Sequence, residues 1–99
     1  MPIETIFANA GNERVRFDIP VTIFQRKVRI TTIHGLDEEY VIRCDQLDIT
    51  CSGVFERIAR ENFVKEFESL CNWCWFGETV AQRIQRDILR AFMVEVNHQ

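Results

Sequence analysis

Two predicted helices meet at the segment Leu70-Cys71-Asn72-Trp73-Cys74-Trp75-Phe76-Gly77, which contains both tryptophans of this 99-residue chain. Its glycine can end one helix before the next begins. We therefore interpret the segment as the joint of a helical hairpin. Each large aromatic side chain can bury about 150–250 Å², so the joint is also expected to be where the helices meet the rest of the fold.

The helix before the joint is predicted from apolar residues that recur every three or four positions, the spacing of one helix face. These residues are Phe55, Ala59, Phe63, Phe67, Leu70 and Cys74. Ser52 is the expected N-cap, because a serine hydroxyl can accept a hydrogen bond from a free backbone N–H of the first turn.

The helix after the joint is predicted to begin at Thr79, because Thr79-Val-Ala-Gln82 matches the capping box, in which each side chain satisfies a backbone N–H. Its apolar side is formed by Ala81, Ile84, Ile88, Ala91, Phe92 and Val96. The helical hairpin is thus expected over residues 52–96.

The first half of the chain is predicted to form strands. From Arg14 to Phe24 apolar and polar residues alternate, with Val15, Phe17, Ile19, Val21 and Ile23 on one side, and this period of two indicates a strand. Pro20 cannot donate to a strand ladder, so the strand is expected to bend there or to lie at a sheet edge. Residues 28–33 and 39–44 are expected to form a hairpin around a turn at His34–Asp37.

The order of elements predicts an α+β fold in which a small antiparallel sheet of about three strands, a meander, is followed by a two-helix hairpin packed on one face. We expect one domain over residues 1–99, with the sheet in residues 13–49. Residues 1–12 are interpreted either as a loose arm or as a short extra strand.

Composition limits the class of protein. The 12 basic and 15 acidic residues give a formal net charge of −3, so the overall field does not attract nucleic acid or anionic membranes. The opening residues Met1-Pro2-Ile3-Glu4 lack the basic stretch followed by an apolar run that is typical of a signal peptide, and no apolar run in the sequence is long enough to span a bilayer. These features predict a cytoplasmic protein that does not bind membranes.

The four cysteines are the candidates for a metal site. Cys44, Cys51, Cys71 and Cys74 offer one pair with the C-x2-C spacing of a zinc knuckle and one pair without it. A zinc-stabilised module is therefore an alternative, but buried thiols are the favoured interpretation, because Cys71 and Cys74 fall on the apolar side of a predicted helix. No cofactor is predicted.

Catalysis is not predicted. The two histidines, His34 and His98, have no nucleophile beside them in the sequence. The C-x2-C pair lies at the C-terminal end of its helix, where the helix dipole disfavours a thiolate. The chain is therefore expected not to be an enzyme.

A partner-binding surface is predicted at the joint and on the helix after it. Three aromatic residues within four positions cannot all enter one small core, so at least one is expected to be exposed, and exposed tryptophan beside arginine is typical of interaction hot spots. Three arginines spaced at i, i+3 and i+7 form a stripe opposite the apolar side of the second helix. The predicted site comprises Trp73, Trp75, Phe76, Arg83, Arg86 and Arg90.

The leading hypothesis is a small non-enzymatic regulator, adaptor or inhibitor that binds another protein, or itself as a homodimer. Small acidic chains without motifs also include phage or bacterial inhibitors of host machinery. A nucleic-acid-associated regulator that uses the arginine stripe is an alternative that the charge does not favour.

Overall fold

The computed structural model describes residues 2–29 and 36–94. Within these ranges the elements are β1 (Ile3–Ala10), β2 (Glu13–Pro20), β3 (Thr22–Arg29), β4 (Leu36–Cys44), β5 (Ile49–Gly53), α1 (Glu56–Cys74), α2 (Val80–Ala91) and β6 (Met93–Val94). The strands form two antiparallel sheets, in the orders β1-β2-β6 and β3-β4-β5. The predicted α+β class is confirmed, with two three-stranded sheets in place of one meander.

The first hairpin gives residues 3–10 a place in a sheet. β1 pairs with β2 along its whole length. Of the two interpretations of residues 1–12, the extra strand is therefore confirmed and the loose arm is wrong for residues 3–10. Gly11 has a φ of +68° and is the first residue of the two-residue connection Gly11-Asn12. Glycine at this position suits a type II′ hairpin turn, because the turn needs a positive φ there.

The predicted strand over 14–24 is divided between the two sheets. β2 ends at Pro20 and β3 begins at Thr22, so the expectation that the strand bends at Pro20 is confirmed. The backbone N–H of Val21 donates to the carbonyl oxygen of Pro2 at 3.0 Å instead of joining a ladder. The alternation continues across the break, because the side chains of β2 and β3 keep facing the same core.

The second sheet contains the predicted hairpin of 28–33 and 39–44 in a longer form. β3 and β4 pair from Thr22 opposite Arg43 to Arg29 opposite Leu36. The predicted strand residues 30–33 and turn residues 34 and 35 lie outside the described residues.

The predicted N-cap at Ser52 is wrong. Ser52 belongs to β5, where it pairs with Val41, and its carbonyl oxygen accepts a hydrogen bond from Asn62 Nδ2 at 2.9 Å. The N-cap residue of α1 is Phe55, which makes no side-chain capping hydrogen bond. Strand pairing therefore extends the sheet beyond the expected end at residue 49 and delays the helix.

The core lies between α1 and the strands. α1 packs against β1, β4 and β5 and buries Ala59, Phe63, Phe67, Cys71 and Cys74. The rings of Phe17 and Phe67 meet edge to face with centroids 5.0 Å apart, a favoured arrangement of aromatic pairs.

α2 begins with the predicted capping box: the backbone N–H of Gln82 donates to the Thr79 hydroxyl, and the Gln82 side chain accepts from the Thr79 backbone N–H. The helix ends at Ala91, and the carbonyl oxygen of Phe92 then accepts from the backbone N–H of Asp18 at 3.0 Å. The hairpin therefore ends before the predicted residue 96, which lies outside the described residues. Among the described residues, neither helix combines the length and apolarity needed to cross a membrane.

Candidate protein-interaction surface

Arg86 ties the two helices together at the joint. Its Nη1 atom donates to the carbonyl oxygens of Trp75 at 2.7 Å and Gly77 at 3.1 Å. The last carbonyl groups of a helix have no partner within the helix, and the last turn of α1 has no basic residue of its own. A side chain from α2 therefore satisfies the end of α1.

Trp75 lies half-buried between the first hairpin turn and α2. A Cβ atom added to Gly11 would lie 2.9 Å from Cδ1 of Trp75 and 2.9 Å from Cζ of Phe76. On its other side, the guanidinium of Arg90 lies 5.6 Å from the centre of the Trp75 ring, within the range of a cation–π interaction. The joint is thus a packed contact between the helical hairpin and the first sheet.

The other two aromatic side chains of the joint face solvent. Trp73 is 52% exposed and Phe76 is 72% exposed. The prediction that at least one of the three aromatic residues is exposed is therefore confirmed.

α2 directs its apolar side away from the body of the protein. Val80 is 73% and Ile84 56% exposed, and of the helix only Leu89 is buried. We call this exposed apolar side the outward stripe; it consists of Val80, Ala81, Ile84, Ile88 and Ala91, all exposed except the half-buried Ile88.

The side of α2 that faces the body is largely polar. Gln82, Gln85 and Arg86 are half-buried around Leu89, and Gln82 Nε2 donates to the carbonyl oxygen of Trp73 at 2.9 Å. Capping and hydrogen bonding to the end of α1 therefore hold the helix together with the packing of Leu89, and of half-buried Ile88 and Phe92, against the core.

A groove of about 650 Å³ runs beside the C-terminal half of the outward stripe. It is lined by Ile84, Ile88, Ala91 and Phe92, with Gln46 and Asp87 as its polar members. The apolar stripe thus has a concave end at Phe92, while Val80 stands exposed at the other end.

The three predicted arginines do not form one surface. Arg86 turns inward to the joint, whereas Arg83 and Arg90 are both exposed, Arg90 with its guanidinium over the Trp75 ring. The sequence predicts Arg86 opposite the apolar side of α2, and it lies there, but that side faces the body of the protein, where the guanidinium donates to the unpaired carbonyl groups at the end of α1. The last carbonyl groups of any helix need hydrogen-bond donors, and this need is the one signal in the sequence from which the role of Arg86 could have been inferred.

Val80 and Ile84 are exposed positions of the surface that the predicted site did not include. Helical periodicity identifies an apolar side but does not tell whether a neighbouring element covers it. The aromatic joint was recognisable because too many large rings lay close together.

All four cysteines are buried and free. Burial raises the pKa of the Cys71 thiol to about 12, with further increases from neighbouring Cys74 and Glu68, and burial also raises the pKa of Cys44, Cys51 and Cys74. Thiols with raised pKa values stay protonated at neutral pH and are therefore poor nucleophiles.

The zinc alternative gains no geometric support from the described residues. Within residues 2–29 and 36–94, no three His, Cys, Asp or Glu side chains are grouped so as to hold a metal ion. His34 and His98 lie outside the described residues, so their placement relative to the cysteines is not described.

The outer face of the first sheet carries Arg14 and Arg16. Arg16 donates through Nε to Asp18 at 3.1 Å, and Thr5 donates to the same carboxylate at 2.9 Å. The hydrogen bonds from Arg16 and Thr5 hold the pKa of Asp18 below its usual range. Because Arg16 is paired, this face presents less free positive charge to a phosphate than its composition suggests.

Comparison of the chain with protein-family models, curated proteins and solved structures gives no match in any of the three. The surface geometry is therefore the basis on which a function is proposed.

Proposed function

We infer that this chain is a non-enzymatic interaction protein that binds a protein partner through the outward stripe of α2, with Trp73 and Phe76 of the joint as further contacts. The observation that carries this proposal is the orientation of α2, which points the apolar side of an amphipathic helix into solvent. The roles of regulator, adaptor or inhibitor in the cytoplasm are part of the same proposal.

The arrangement of the exposed apolar side chains on one side of α2 supports the proposal that this side is an interface. Single apolar residues on a surface are normal, and Ile3, Phe7, Val54 and Phe55 are exposed in this way elsewhere on the molecule. On α2, by contrast, five apolar residues share one side of a regular helix. Contiguous apolar surface of this kind marks sites of protein interaction, and a helix that offers anchors at i, i+4 and i+8 suits another helix or a groove.

The fixed geometry of α2 adds further support. The capping box, the Arg86 hydrogen bonds and buried Leu89 hold the helix in place, and of the outward stripe only half-buried Ile88 packs against the core. A partner therefore meets a surface that is already ordered, and little conformational entropy is lost when it binds.

The free thiols favour a cytoplasmic location within this proposal, because cysteines remain reduced there. Four buried thiols without a disulfide are compatible with that compartment.

Site-specific photo-crosslinking tests the proposed function. A photoreactive amino acid is placed at Ala91 in the stripe, and as the control at exposed Glu61 on the outer side of α1. The protein crosslinked from Ala91, which can be another protein or a second copy, is then purified and its affinity for the unmodified chain is measured.

The proposal predicts that Ile84→Asp lowers this affinity at least about tenfold, while Val54→Asp, the same kind of change at an exposed apolar residue outside the stripe, changes it less than about twofold. Equal crosslinking from Ala91 and Glu61, or equal effects of the two substitutions, would contradict it.

A further inference from the structure

We propose that the outward stripe is a self-association surface, on which the α2 helix of a second copy of this chain lies antiparallel across a two-fold axis. This inference rests on the proposed function and names its partner. Three features of the stripe carry it: its shape, its charges and its length.

The shape of the stripe fits a second copy placed in the opposite direction. Val80, 73% exposed, protrudes at the N-terminal end of α2, and the groove of about 650 Å³ opens beside Ala91 and Phe92 at the C-terminal end. A two-fold axis near the middle of the helix brings Val80 of each copy to the groove of the other. The same patch then serves both copies, as an isologous interface requires.

The charges beside the stripe are also self-complementary. Arg83 and Asp87 lie one helical turn apart on the same edge of α2; both are exposed, and neither forms a salt bridge with another described residue. In an antiparallel pair related by a two-fold axis, like edges of the two helices face each other. With the axis near Gln85, each Arg83 lies opposite the Asp87 of the second copy, so the interface contains two pairs of opposite charge.

The length of the helix sets the strength of association. Twelve residues make a contact about 18 Å long, and at a helix width of about 10 Å its area of about 180 Å² per partner is well below the standard protein interface of about 800 Å². We therefore expect a reversible dimer with a dissociation constant in the range of about 1–100 μM.

Sedimentation equilibrium on the purified full chain tests this inference. The wild type should pass from monomer to dimer as its concentration rises through about 1–500 μM. Ile84→Asp should raise the dissociation constant at least about tenfold, and Val54→Asp should change it less than about twofold. A wild type that stays monomeric, or a dimer that Ile84→Asp leaves unchanged, would overturn the proposal.

Two charge reversals test the antiparallel arrangement. R83E alone and D87R alone each place like charges opposite each other in their homodimers, so each should weaken association. An equimolar mixture of R83E and D87R should form heterodimers more tightly than either variant forms homodimers, because both contacts then join opposite charges. The double variant R83E/D87R should dimerise like the wild type, and failure of both rescues would overturn this arrangement.

The crosslinking experiment distinguishes a failure of self-association from a failure of the proposed function. A monomeric chain that binds a different protein through Ala91 and Ile84 overturns self-association and leaves the proposed function standing. A monomeric chain with no stripe-dependent partner overturns both.

Discussion

Arg86 of α2 donates a hydrogen bond of 2.7 Å to the carbonyl oxygen of Trp75, the C-cap residue of α1. The same guanidinium nitrogen also reaches Gly77. This contact joins the two helices through a charged group and leaves most of the apolar side of α2 exposed. It therefore links the stability of the fold to the surface that we propose for binding.

Replacing Arg86 should destabilise the protein. Arg86→Ala removes charge-assisted hydrogen bonds to two carbonyl groups, and we expect the free energy of unfolding to fall by about 1–3 kcal/mol. Arg83→Ala, its exposed neighbour, should change it by less than about 0.5 kcal/mol. Urea unfolding followed by circular dichroism measures both, and equal losses would show that the Arg86 contact contributes nothing specific.

Gly11 should not tolerate a side chain. Gly11→Ala places a Cβ atom 2.9 Å from the Trp75 ring and keeps an L-residue at a φ of +68°, which by itself costs about 1–2 kcal/mol. We expect a loss of at least that size in urea unfolding, together with a weaker near-ultraviolet tryptophan signal. Asn12→Ala, in the same turn, is the control, and a Gly11→Ala protein as stable as this control would contradict the packing at the joint.

Two phenylalanines in and beside α1 should differ sharply in their contribution to stability. Phe67 is fully buried against Phe17, so Phe67→Ala should cost about 3–5 kcal/mol. Phe55 is 62% exposed, and Phe55→Ala should cost less than about 0.5 kcal/mol. If chemical denaturation gave the two variants similar stabilities, the described core would be wrong.

The buried thiols predict a loss of stability at high pH. In the folded protein the pKa of Cys71 is raised from 9.0 to about 12, so between these values the unfolded chain releases a proton that the folded chain keeps. Because the unfolded state then binds fewer protons, the free energy of unfolding falls as pH rises. The contribution of Cys71 should be constant below about pH 9 and decrease above it.

Urea unfolding at a series of pH values from neutral to alkaline measures this effect, with Cys71→Ala as the control, since removing the thiol should reduce the alkaline slope. An alkaline slope that is the same in the wild type and in Cys71→Ala would contradict the assignment.

The parts of the fold that depend on local pattern were predictable from sequence. Three local patterns predict elements that the structure contains: the amphipathic pattern of α1, the capping box at Thr79 and the alternation around Phe17. The division of one alternating run at Pro20 was only partly predictable, because proline indicates a bend but not a change of sheet.

The candidate surface was less predictable, for a physical reason. The orientation of α2 depends on which groups outside the helix need partners, and here the open carbonyl groups at the end of α1 bind Arg86. The apolar stripe containing Ile84 is visible in the sequence, but its exposure depends on how α2 packs against α1 and the core, which the pattern of one helix does not show.

Thiol accessibility tests the central claim, the outward orientation of α2, most directly. Because the four native cysteines are buried, a cysteine introduced by Ile84→Cys or Leu89→Cys reports its own exposure to a thiol reagent, at a concentration low enough to keep the chain monomeric. We expect Ile84→Cys to react at nearly the rate of the unfolded protein and Leu89→Cys to react at least about a hundredfold more slowly. Protection of Ile84→Cys to the same degree as Leu89→Cys would show that the apolar side of α2 faces inward and would contradict the account.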